Sequence, residues 1–156
     1  FSLAAMGRNP ELRTRFVYAP GFADSIAESA EAAGFADRVT VEEGATESTA
    51  PGGAHDLVLL THVLHRFTPE QNRDILKAAR GAAAAGATLH LLDFFLDQDE
   101  RQRPIDALHA GEYFNIDGTL VYPVEDVEEW LAEAGWKTER LVALPGSPRV
   151  LVATAI

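Results

Sequence analysis

The sequence predicts an α/β fold, a mostly parallel sheet with helices on both faces. Two observations carry this. Strand-like and helix-like segments alternate along the chain. Two of the strand-like segments, "HDLVLLTHV" (55–63) and "GATLHLLDFFL" (86–96), are nearly unbroken apolar runs. A strand with one wet face alternates, whereas a strand covered on both faces does not. Repeated strand–helix–strand units then set the strands parallel.

Each element has its own signal. "LRTRFVYAP" reads as a strand over 13–18 that ends at Pro20. Phe22, Ile26, Ala30 and Ala33 recur at helical spacing, and Gly34 stands where a helix stops. "RVTVEEG" (38–44) is a short alternating strand, followed by the apolar strand at 56–62. Thr68, Pro69 and Gln71 form a capping box with proline in the first helical turn. Ile75, Leu76, Ala79 and Ala83 make the buried stripe of that helix. The next strand covers 87–93, "DQDERQRP" (97–104) is a charged loop, and 105–114 is helical. Val124, Val127, Leu131 and Ala134 mark a further helix stopped by Gly135. "KTERLVALP" and "PRVLVATAI" close the chain as two strands, with 149–155 antiparallel to the rest. Repeats, low-complexity tracts and linkers are absent, so residues 1–156 read as one domain.

Composition removes several classes of function. The 156 residues carry a formal charge of −11, a pI near 4.8 and no cysteine. Disulfides and thiolate metal sites are excluded. A nucleic-acid partner would call for a basic patch, and none is visible. No apolar run approaches the roughly 20 residues of a membrane helix, and "FSLAAMGRNP" lacks a secretory layout. The expectation is a cytoplasmic protein that handles a small molecule rather than nucleic acid or membrane.

In an open parallel sheet, ligands bind beyond the carboxyl ends of the strands. Tyr18, Gly44, Thr61 to His65 and Asp93 all fall at or just past those ends. The stretch "LLTHVLHRF" therefore delivers two histidines, His62 and His65, where the chain leaves the core.

The segments "RNPELRTRFVYAPG", "ADRVTVEEG", "HDLVLLTHVLHRFTPEQNRDILKAAR", "GATLHLLDFF" and "EEWLAEAGWKTERLVALPGSPRVLVATA" follow one another as in small-molecule S-adenosylmethionine-dependent O-methyltransferases. The chain resembles the bacterial secondary-metabolite members over nearly its whole length. The resemblance implies a Rossmann-like S-adenosylmethionine methyltransferase fold with strand order 3-2-1-4-5-7-6. It also implies a homodimer through a helical region outside this chain. Family members open with a strand and a glycine-rich G-x-G turn, but "FSLAAMGRNP" resembles the helix after that turn. The fold is thus expected to be incomplete at the N-terminus, lacking its central first strand. These residues then belong to a longer chain, or another chain supplies the strand.

The resemblance also implies site residues. The cofactor, S-adenosylmethionine, would meet Tyr18, Gly44, Ala45, Thr46 and Thr61. The family's ribose-binding acid at the end of strand two is replaced by Tyr18. A phenol there either contacts the ribose or plugs the pocket as an aromatic. The acid that closes strand three is replaced too, giving Gly44-Ala45. In the family, the histidine of the "LH" pair takes the substrate proton, and an acid from the end of strand five flanks it. His65 and Asp93 match those places, with Arg66 where an aspartate often follows. The acid that many plant members place after an N-x-x-G turn is unmatched, since Leu120 stands there.

Other candidates are weaker. His62 is expected to be structural, because neighbours on a strand face opposite ways. His55, His90 and His109 are scattered, and without an H-x-x-x-H pattern beside an acid no metal site is expected. Phe94, Phe95, Tyr113 and Phe114 could wall an aromatic pocket or belong to the core, with Phe95 leaning to core. Acids at 97–100 and 125–129 read as solvated faces or helix-start charges. The leading function is O-methylation of a hydroxyl on a small aromatic or polyketide-like metabolite. The alternatives are the same scaffold running hydroxylation, decarboxylation or cyclisation, or a non-catalytic assembly partner.

Overall fold

A computed structural model describes residues 1–49, 51–98, 102–146 and 148–156. The chain divides into two compact units, Phe1–Pro51 and Gly52–Ile156. The charged loop and acid cluster expected from residue 97 onward fall partly on 99–101, outside the described residues.

The first unit contains α1 (Ser2–Met6), β1 (Thr14–Tyr18), α2 (Ala23–Ala32) and β2 (Val39–Glu43). Strands β1 and β2 pair in parallel, from Thr14 opposite Val39 to Tyr18 opposite Glu43. Helix α2 stops where the glycine signal lay. Gly34 takes φ +74°, and the Phe35 N–H reaches back to the Ala30 carbonyl at 2.8 Å. This satisfies a helix-end acceptor that a residue with a β-carbon would reach only under strain. The expected apolar stripe is thinner than its spacing suggests. Ala30 is buried, but Phe22 is 52% exposed, because it lies at the helix entry rather than on the packed face.

The second unit contains β3 (His55–Thr61), α3 (Pro69–Gly81), β4 (Ala83–Asp93), α4 (Pro104–Asp117), α5 (Val124–Glu133), β5 (Trp136–Ala143) and β6 (Arg149–Ala155). Its sheet has the order β3-β4-β6-β5. Strands β3 and β4 are parallel, and β6 runs antiparallel to both neighbours. Residues 149–155 are therefore the reversed strand, as expected. The description "mostly parallel" needs correcting for this sheet, which is mixed: β6 is inserted between two strands that run the other way, so two of its ladders are antiparallel. Taken separately, the two sheets match the 3-2 and 4-5-7-6 ends of the expected order. No counterpart of strand one occurs among the described residues.

The capping box forms. Thr68 Oγ1 accepts the Gln71 N–H at 3.3 Å, and Gln71 Oε1 accepts the Thr68 N–H at 3.0 Å. Ile75, Leu76 and Ala79 are buried along α3. Ala83 is not on that helix. It opens β4, three residues before the glycine that was expected to start the strand. The reason lies in the sheet: the His55 N–H donates to the Ala82 carbonyl at 2.8 Å, and His55 pairs with Ala83, so tertiary pairing overrides alanine's helical preference. The core of this unit centres on Leu76, Leu89, Leu91, Val127, Leu131, Trp136 and Leu151. The buried Trp136 indole N–H donates to the Leu76 carbonyl at 3.1 Å, which removes the cost of an unpaired polar group. Among the described residues no helix is long and apolar enough to cross a membrane.

Candidate active site

Because β3 and β4 are parallel, their carboxyl ends emerge on one edge, with Thr61 opposite Leu92. The chain leaves β3 through His62 and enters a tight 3₁₀ turn, Leu64–Arg66. Asp93 ends β4 and is 1% exposed. Both of its carboxylate oxygens accept hydrogen bonds. Oδ2 accepts the Leu64 N–H at 2.9 Å. Oδ1 accepts from His65 Nδ1 at 2.8 Å and from the Phe94 N–H at 2.9 Å. An ionised carboxylate can only accept, so His65 Nδ1 carries the hydrogen and Nε2 keeps its lone pair. This is the tautomer a general base requires.

The turn is held from three sides. Asn72 in α3 is completely buried, and its amide donates to the Leu64 carbonyl at 3.0 Å and the Phe67 carbonyl at 3.3 Å. The Tyr122 hydroxyl donates to the same Phe67 carbonyl at 2.6 Å. The Leu120 N–H donates to the His65 carbonyl at 3.2 Å. Sequence reasoning missed Asn72. Its signal was a polar residue in phase with the stripe of Ile75, Leu76 and Ala79.

Aromatic rings stand against His65. Tyr113 lies 4.8 Å from its ring and Phe94 6.1 Å. Phe94 and Tyr113 are 5.2 Å apart, and His109 stacks on Phe94 at 5.3 Å. Burial, and after it the nearby Asp93 charge, push the Tyr113 phenol above its ordinary value of 10.0, so it stays neutral. Phe95 is buried in the core, while Phe114 is 61% exposed and lines no wall. A recess of about 140 Å³ runs along α4 past His109 and Tyr113. A larger one of about 510 Å³, lined by Glu128, Trp136 and Arg140, contains none of these groups.

His62 departs from its expected place. It lies beyond the end of β3, so strand alternation does not apply to it. Its φ of +55° is the one positive value at a non-glycine position among the described residues. Its ring lies 5.2 Å from Phe94 and 6.3 Å from His65.

The remaining candidates are in the first unit. Tyr18 ends β1, is 47% exposed and tilts against Phe22 at 5.7 Å. The Gly44 N–H donates to the Tyr18 carbonyl at 2.9 Å. A β-carbon at Gly44 would run into the Thr49 side chain, so glycine is required by its own turn. The Ala45 carbonyl accepts the Thr49 N–H at 2.8 Å, which closes the turn holding Thr46. Sequence reasoning passed over Glu43. It is the register partner of Tyr18, and its Oε1 accepts the Gly21 N–H at 3.0 Å. A carboxylate therefore stands beside the phenol that replaced the expected acid. Its signal was the doubled acid of "VEEG" at the strand end.

No family model matches the chain. Its relatives do. The L-tyrosine C(3)-methyltransferase of Streptomyces lavendulae is 28% identical, over 98% of this chain and 43% of that protein. The 3-hydroxy-5-methyl-1-naphthoate 3-O-methyltransferase of Streptomyces sahachiroi is 30% identical, over 92% of this chain and 42% of that protein. The crystal structure of the S-adenosylmethionine-dependent methyltransferase SibL in its apo form superposes with a TM-score of 0.86 at 26% identity, covering 98% of this chain and 46% of that one. Over nearly its whole length the chain is therefore similar to S-adenosylmethionine-dependent small-molecule methyltransferases. It spans less than half the length of these relatives. Within the family fold, the His65–Asp93 pair stands at the carboxyl ends of the expected strands four and five.

Proposed function

We propose that the chain supplies the acceptor-activating part of an S-adenosylmethionine-dependent O-methyltransferase acting on a hydroxyl of a small aromatic or polyketide-like metabolite. The observation that carries the reading is the buried pair His65 Nδ1–Asp93 Oδ1 at 2.8 Å. It leaves one imidazole nitrogen free as an acceptor, beside the rings of Phe94 and Tyr113. A phenol stacked on that wall would lose its proton to His65 Nε2 as its oxygen becomes the nucleophile. Asp93 would then face an imidazolium and stabilise it by a charged hydrogen bond. S-adenosylmethionine, when bound, supplies an electrophilic methyl on a sulfonium that departs as a neutral thioether.

The strand ends of the first unit would hold that cofactor through the expected Tyr18, Gly44, Ala45 and Thr46, with Glu43 added to them. Tyr18 offers a half-exposed phenol, and Glu43 beside it offers the acceptor-only carboxylate that two ribose hydroxyls need. We assign the ribose to this pair and the adenine to Gly44, Ala45 and Thr46. A companion strand with its glycine turn, from a longer form of this chain or from another chain, would add to the cofactor site, and a homodimer would form through a region outside this chain. We assign the whole to the catalytic domain of a cytoplasmic enzyme.

The test combines cofactor, a panel of phenolic acceptors and mass spectrometry. Wild type should add one methyl group. His65→Ala should lower turnover by roughly 10²–10⁴-fold, the usual worth of a positioned base, and leave S-adenosylmethionine affinity unchanged. Glu43→Gln should weaken that affinity. Normal turnover in His65→Ala would remove the base from the mechanism.

A further inference from the structure

The proposed reaction leaves His62 without a task, although its conformation carries a cost. A non-glycine residue in the left-handed region costs of order 1–3 kcal/mol and persists only where its surroundings hold it. Here the His62 N–H donates to the Leu92 carbonyl at 2.8 Å, which extends the β3–β4 ladder by one step and fixes the backbone. No hydrogen bond engages either ring nitrogen among the described residues. Ligand atoms of His62, His65 and Asp93 fall within 4.8 Å of one another. H-x-x-x-H spacing does not describe this group, because its acid comes from the neighbouring strand.

Two imidazoles and a carboxylate suit divalent ions of the first transition row. Bonds of about 2.0–2.2 Å require ligand atoms about 3.0–3.5 Å apart. His65 and Asp93 already meet at 2.8 Å. The remaining contraction falls to the half-buried, unanchored ring of His62. We propose that His62, His65 and Asp93 form a binding site for a divalent transition-metal ion of the zinc or cobalt class, in which the ion replaces the hydrogen shared by His65 and Asp93. With the ion on Nδ1, that hydrogen moves to Nε2 and the base is disarmed. Metal binding stands on the geometry alone, whereas inhibition of turnover rests on the proposed methyl transfer.

The full chain is titrated with cobalt(II) while its visible ligand-field bands are followed. Histidine ring nitrogens are read by NMR during a parallel zinc(II) titration. One equivalent should bind, with the signals of His62 and His65 shifting and those of His55, His90 and His109 staying in place. His62→Asn tolerates the left-handed backbone and removes the imidazole, so it should weaken cobalt binding by at least about tenfold. His55→Asn should leave binding unchanged. Equal affinity in wild type and His62→Asn, or equal shifts at His55 and His109, would overturn the site. Should His62→Asn fail to fold, the ring shifts in wild type decide alone. Absence of methyl transfer would sink the proposed function and leave this titration valid.

Discussion

Replacing Asp93 by asparagine tests the site more sharply than removing the histidine, because shape is kept and only charge and hydrogen-bond direction change. The carboxylate accepts three hydrogen bonds, from the Leu64 N–H, the Phe94 N–H and His65 Nδ1. An amide has one accepting atom. If its oxygen faces His65, its NH₂ opposes the Leu64 N–H and two donors meet in a buried place. If it flips, the NH₂ confronts His65, which must move its hydrogen to Nε2 and ceases to be a base. Either way a buried donor is stranded, at a cost of about 1–3 kcal/mol. For a domain of this size that lowers Tm by about 2–12 °C. Turnover loses the charged hydrogen bond to the imidazolium, worth about 10–100-fold. If the tautomer reverses, the loss approaches about 10⁴-fold. The assay measures turnover at saturating cofactor on folded protein, with ring-nitrogen NMR reporting the tautomer and calorimetry the cofactor affinity. Turnover within threefold of wild type, with the His65 hydrogen still on Nδ1, would refute the reasoning.

Three further outcomes are expected. Tyr18→Asp should tighten S-adenosylmethionine binding by about 1 kcal/mol, one charge-assisted hydrogen bond. Unchanged or weaker binding by calorimetry would mark the tyrosine as a plug. Asn72→Ala strips the Leu64 carbonyl of its side-chain donor and takes one of two donors from the Phe67 carbonyl, so stability in urea should fall by about 1–3 kcal/mol. His90 on β4 is held below its ordinary 6.5, first by burial and then by the Arg140 cation. The unfolded ring takes up its proton near 6.5 while the folded ring does not. Stability should therefore fall as pH drops through 6.5 and level off below the folded value, and His90→Gln should flatten that slope in urea titrations at several pH values.

Much of the architecture was legible because strand ends, caps and stops are local. Thr68, Pro69, Gln71, Gly34 and Gly135 all stand where the helices begin or end. The start of β4 was misread because alanine favours a helix and only pairing with His55 decides otherwise. The pairing of His65 with Asp93 could be expected from family resemblance, yet the three donors on the carboxylate could not, since two are backbone N–H groups, one in the turn after β3 and one just past β4. The facing of His62 was not legible for a related reason. Alternation predicts a facing only while the strand lasts, and β3 ends one residue earlier. Glu43 escaped notice because register between β1 and β2, not spacing along either, sets it beside Tyr18.

The reversed strand β6 has a consequence for how the second unit assembles. Its contacts with β5 join residues close along the chain, such as Ala143 with Arg149. Its contacts with β4 join Asp93 to Arg149 and Thr88 to Thr154, with α4 and α5 between them. Loop closure is cheap for the first ladder and dearer for the second. The β5–β6 ribbon can therefore zip within microseconds as an independent hairpin. Docking of that ribbon against β4 would bring Leu151 into the core and Arg149 to Asp97, which pair at 3.0 Å. Substitutions that weaken the β5–β6 ribbon should on this account slow folding, whereas those whose β4–β6 contacts form last should mainly speed unfolding.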